Sequence, residues 1–129
     1  MSGNIPNLWP EEIIIATEIT PKSILLRQAQ VLTERTRGRV QGEVATKVLG
    51  RDFTHTFSLV TPGLDNYRYF LLRARHSIEQ IYPIKVFVAE NDDTGRELAS
   101  EEQFYEVLQR VLQDKKTMHI IRSLVAQSE

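Results

Sequence analysis

Two alternating segments separated by two residues constrain this chain more than any other feature. In Arg39 to Leu49, the residues Val40, Gly42, Val44, Thr46 and Val48 alternate with Gln41, Glu43, Ala45, Lys47 and Leu49. In Asp52 to Thr61, the residues Phe53, His55, Phe57, Leu59 and Thr61 alternate with Thr54, Thr56, Ser58 and Val60. Successive side chains of a strand leave opposite faces, so period-two alternation marks a half-buried strand. Gly50-Arg51 suits a two-residue type II′ turn, which takes glycine at its first central position. That turn places Val48 opposite Phe53, Thr46 opposite His55, Val44 opposite Phe57 and Gly42 opposite Leu59. Every pair falls on the apolar face of both strands, and a slip of one residue would destroy the agreement.

The flanking segments extend the pattern. Thr20 is an N-cap and Pro21 an N1 residue, where the missing N–H removes nothing a helix uses. Ile24, Leu25, Ala29, Val31 and Leu32 form a helical stripe, and Gly38 supplies the stop. Arg35 and Arg37 lie near the end of this helix, where positive charge complements the dipole. Beyond the hairpin, Thr61-Pro62-Gly63 predicts a type II turn extended by Asp65-Asn66. Tyr67 to His76 follows as a third strand, apolar on both parities, and Pro83 to Glu90 as a fourth. Asn91-Asp92-Asp93-Thr94-Gly95 then breaks the sheet as a solvated turn, since the offsets of a calcium loop are not met. Ser100-Glu101-Glu102-Gln103 reads as a capping box. It opens a helix with Phe104, Val107, Leu108, Val111 and Leu112 on one side. Asp114 to Thr117 interrupts this helix before a short final one carrying Met118, Ile121, Leu124 and Val125.

The expected architecture is therefore α+β: an N-terminal helix, a four-stranded antiparallel meander, and two C-terminal helices, with helices covering one sheet face. Residues 20–129 form a single domain. Residues 1–19 are an arm, extended between Pro6 and Pro10, with a short edge strand in Glu12 to Glu18. Trp9, the only tryptophan of the chain, anchors this arm on the body or on another subunit.

Composition limits function more than it reveals it. The 129 residues include no cysteine, which removes disulfides, thiolate metal sites and cysteine nucleophiles. Met1 to Pro10 has no basic and apolar signal pattern, and the longest apolar run is far below a membrane span. A cytoplasmic protein without membrane association is expected. Net charge is only -1, but Lys22 to Lys85 holds 11 basic against 5 acidic residues, while both ends are acidic. Such asymmetry fits an anionic partner, or pairing within the fold or a dimer.

No nucleotide-binding loop, nucleophile elbow or metal-ligand spacing occurs. No catalytic residue, metal ligand or cofactor is assigned. The best functional candidate is the run Tyr67-Arg68-Tyr69-Phe70 with Arg73-Ala74-Arg75-His76. By parity, Tyr69, Arg73 and Arg75 share a strand face. Together with Trp9, the residues Tyr67, Tyr69, Arg73, Arg75 and His76 make the candidate binding set, because Arg, Tyr and Trp are enriched at interfaces. The reading is a non-enzymatic interaction domain that binds a partner protein or itself as a homodimer. The alternative is RNA or single-stranded nucleic acid, held by interleaved aromatics and arginines. A remoter one is a small metal-independent nuclease, with His55 and His76 as base and acid beside Arg73 or Arg75.

Overall fold

The computed structural model describes residues 3–13 and 18–129. Helix α1 (Pro21–Arg35) begins where the sequence places it. Thr20 Oγ1 accepts from the Ser23 amide, Ser23 Oγ accepts from the Thr20 amide, and Pro21 occupies the first turn. Arg37 and Gly38 take left-handed conformations (φ 53° and 80°) and turn the chain back into the sheet.

Strands β1 (Gln41–Leu49) and β2 (Asp52–Thr61) form the expected hairpin, with Val48 opposite Phe53, Thr46 opposite His55, Val44 opposite Phe57 and Gly42 opposite Leu59. Gly50 has φ 61°, and its neighbour Arg51 does not share the positive φ, as a II′ turn requires. The next turn differs from the expected type II. Pro62–Leu64 is a 3-10 turn, and the left-handed residues are Asp65 and Asn66 (φ 57° and 58°). Both side-chain types tolerate that region. Gly63 serves close approach instead, since a Cβ there would lie 3.0 Å from the Ser128 carbonyl oxygen.

Strands β3 (Tyr67–Ser77) and β4 (Ile84–Phe87) continue the antiparallel meander, and β5 (Arg96–Leu98) adds a fifth strand beside β4. Three residues after a turn carry too little periodicity to announce a strand; pairing of Ile84 with Leu98 and of Lys85 with Glu97 creates it. Helices α2 (Glu101–Leu112) and α3 (Lys115–Gln127) complete the fold. Ser100 Oγ accepts from the Gln103 amide as predicted, while Gln103 Oε1 reaches one residue further back, to the Ala99 amide at 2.7 Å. The break between the last helices is shorter than expected. Asp114 caps α3 by accepting from the Lys116 amide, so Lys115 to Thr117 are helical.

Helix α1 crosses the sheet at Gly42, so Gly42, Val44, Phe57 and Leu59 belong to the covered face. One core joins Ile24, Leu25 and Ala29 of α1, Phe57, Leu59, Leu72, Ala74, Ile84, Val86 and Leu98 of the sheet, and Phe104, Val107, Leu108 and Leu124 of the C-terminal helices. All three helices thus cover one face of the five-stranded sheet. Among the described residues, no helix is long and apolar enough to cross a membrane. The edge strand expected in Glu12 to Glu18 falls on residues 14–17, outside the described residues.

Candidate functional site

One extra residue on β3 decides which side chains meet. Thr61 to Ser58 pair with Tyr67 to Phe70, but Phe57 then pairs with Leu72, leaving Leu71 as a β-bulge. A bulge reverses the parity of everything beyond it. Without it, Arg73 would stand opposite His55 and lie under the helices, as would Arg75. Burying two unpaired guanidinium groups is far less favourable than burying Leu72 and Ala74, both fully enclosed here. The sequence does carry the signal. The apolar parity of β3 switches from Tyr67, Tyr69 and Leu71 to Leu72 and Ala74 across the Leu71-Leu72 pair.

This corrects the expected shared face. Tyr67 and Tyr69 point to the helix side, with Tyr69 packed against the core. Arg73 and Arg75 point to the open side, with Arg68 and Phe70. The Arg73 guanidinium carbon lies 4.4 Å from the Phe87 ring centroid and that of Arg75 at 5.4 Å, so Phe87 is buried on the open face beneath two cations. Arg75 also faces Asp52 at 3.8 Å, and Arg68 pairs with Glu43. Ser58 and Val60 are buried on this face too, whereas Ala45, Lys47, Leu49, Arg68 and Arg75 are exposed.

Trp9 is not anchored on the body. It is 74% exposed, with Leu8 at 85% and Ile5 at 90%, and among the described residues its amide donates to Asn7 Oδ1 within the arm.

The same bulge brings His76 onto the helix side, diagonal to His55. Their Nε2 atoms are 2.9 Å apart. His55 Nδ1 lies 2.9 Å from Thr46 Oγ1, and His76 Nδ1 lies 2.9 Å from the Ser77 carbonyl oxygen. A carbonyl only accepts, so His76 carries a proton on Nδ1, and in the neutral ring its Nε2 accepts. His55 must then donate from Nε2, and its Nδ1 accepts from the Thr46 hydroxyl. The result is a chain running from Thr46 through His55 and His76 to the Ser77 carbonyl, in which every ring nitrogen has a partner. Burial, with His76 and then Lys22 adding positive charge nearby, lowers the His55 pKa to about 4. Both rings are buried, with Phe53 beside each at 5.7 Å. Arg73 and Arg75 lie across the sheet from it, so the base, acid and cation arrangement of a nuclease is not assembled. Among the described residues, no group of three or more His, Asp or Glu is placed to hold a metal.

A cavity of about 480 Å³ lies where the bulged part of β3 meets the corner between α2 and α3. β4 pairs only with Arg73–His76, so it leaves the β3 edge before Leu71 and opens this space. Leu71, Val86, Val107 and Val111 form an apolar floor, and Arg96, Arg110 and Lys116 stand around it. Of the residues expected from the sequence only Tyr69 lines this cavity, because its members come from five separate segments with no common spacing. No family model, no curated protein and no solved structure matches this chain.

Proposed function

We propose that this protein is a non-enzymatic interaction domain that associates with a second copy of itself. In this reading the arm of one copy lies on the open sheet face of the other. The exposure of Trp9 carries the reading. An indole with Leu8 and Ile5 beside it, all uncovered by their own chain, is the residue chemistry that anchors interfaces when it reaches a partner. The arm also carries Glu11 and Glu12. The open face offers exposed Lys47 and Arg75 beside the exposed apolar Leu49, a surface complementary in charge and in hydrophobicity. Arg73 contributes less than its position in the sequence implied, being stacked on Phe87.

Sedimentation equilibrium at low and high salt tests the proposal. A dimer weakened by salt, by Trp9→Ala and by Lys47→Glu with Arg75→Glu is expected. Adding Glu11→Lys and Glu12→Lys to the charge-reversed face should restore it. A monomer at every concentration would reject self-association. Salt-sensitive retention on heparin that Arg75→Glu abolishes, with unchanged mass, would assign the face to nucleic acid instead.

A further inference from the structure

The cavity at the β3 bulge is a second feature, independent of the arm and of the open face. Its volume of about 480 Å³ falls within the roughly 300–1,000 Å³ typical of small-molecule sites. Its lining is divided by chemistry. Leu71, Val86, Val107 and Val111 supply an apolar floor, while Arg96 of β5, Arg110 of α2 and Lys116 of α3 bring three cations from three elements. None of these cations forms an ion pair among the described residues, although Arg39, Arg68 and Arg75 elsewhere all do.

The two carboxylates of the cavity offset these cations only in part, since three positive charges stand against two negative ones, and neither carboxylate forms an ion pair with them among the described residues. Asp92 Oδ1 accepts from the amides of Thr94 and Gly95 and from the Thr94 hydroxyl, and these backbone bonds hold its carboxyl below the usual range. Asp114 is engaged as the cap of α3. Thr117 lines the cavity from the first turn of α3, where its hydroxyl is free to meet a ligand. The arrangement combines an apolar floor with cations that carry no ion pair. It matches a ligand with a hydrocarbon body and an anionic head.

We propose that this cavity binds a small amphiphilic anion, a carboxylate or phosphate monoester on a short apolar body. Arg96 and Arg110 hold the head, Thr117 adds a hydrogen bond, and Leu71, Val86 and Val111 pack against the body. Neither proton transfer nor bond cleavage is involved.

Calorimetric titration with octanoate, octyl phosphate, 1-octanol and octylammonium tests this. Saturable one-site binding of at least one anion is expected, with 1-octanol about tenfold weaker or worse and octylammonium weaker still. The tighter of the two anions identifies the head group. Arg96→Gln with Arg110→Gln, both exposed positions, should weaken the anion about tenfold while leaving 1-octanol unchanged. Val111→Trp, which fills the floor, should abolish both. Binding should persist in Trp9→Ala, which separates the cavity from the arm and from self-association. Equal affinity for octanoate, octyl phosphate and 1-octanol would overturn the proposal. So would absence of saturable binding by either anion, or anion binding unchanged by the paired glutamine substitutions in protein shown to be folded.

Discussion

The Nε2 atoms of His55 and His76 lie 2.9 Å apart, and the Ser77 carbonyl beyond His76 makes the bond between them run one way. This pair belongs to the core. Its two buried rings satisfy each other beside Phe53, and their chemistry is felt in stability.

Acid should therefore destabilise the protein well above the range of ordinary carboxylates. The folded state holds His55 near pKa 4, against 6.5 for a free side chain. A depressed histidine contributes fully above the unfolded value, and its contribution is lost as pH falls from about 6.5 toward 4, because the unfolded chain takes up the proton first. Integrating that difference gives a loss of about 2 to 3 kcal/mol by the lower end of the window. Urea midpoints measured across it should fall steadily in the native protein. His55→Gln should flatten that slope, and an unchanged slope would assign the acid sensitivity elsewhere.

The two faces of the hairpin should respond differently to the same substitution. Val44 packs toward the core opposite Phe57, so Val44→Asp buries a charge without a partner and should remove about 3 kcal/mol. Thr54 lies on the open face between Lys47 and Arg75, where an added carboxylate meets two cations. Thr54→Asp should change stability by less than about 1 kcal/mol. Equal thermal shifts would contradict the register.

Gly42 and Ala29 set the distance between α1 and the sheet. A Cβ at position 42 would lie 2.4 Å from Ala29 Cα and 2.5 Å from its Cβ. Gly42→Ala should cost at least about 2 kcal/mol by forcing the helix outward. Ala29→Gly in the same chain should restore only part of the loss, because the nearest obstacle is helix backbone. Full restoration, measured by urea unfolding, would show that the side chains alone control the spacing.

Two buried hydroxyls should be removable without harm. Tyr82 Oη and Thr61 Oγ1 have no hydrogen-bond partner among the described residues, and burial pushes the Tyr82 pKa up to about 12. Tyr82→Phe and Thr61→Val keep shape and remove an unsatisfied group, so each should leave stability unchanged or raise it by up to about 1 kcal/mol. A loss above that size would reveal a partner for the hydroxyl, such as an ordered water.

Local chemistry alone determined the β1–β2 hairpin, the cap of α1 and the apolar side of α2. In each case the informative residues are neighbours along one element: Gly50 sets the turn, Thr20 and Ser23 satisfy each other, and Phe104, Val107 and Leu108 recur at helical spacing. Contacts between distant segments decided the rest. The fifth strand exists because Leu98 pairs with Ile84. The bulge at Leu71 exists because the core accepts Leu72 and Ala74 and rejects Arg73 and Arg75, and that single offset separated Tyr69 from the arginines and joined His76 to His55. Alternation reports which residues share a face only while the register is unbroken. Where a strand can shift by one residue, the free energy of burying the charges on its far half chooses the face, and that free energy depends on helices distant in the chain.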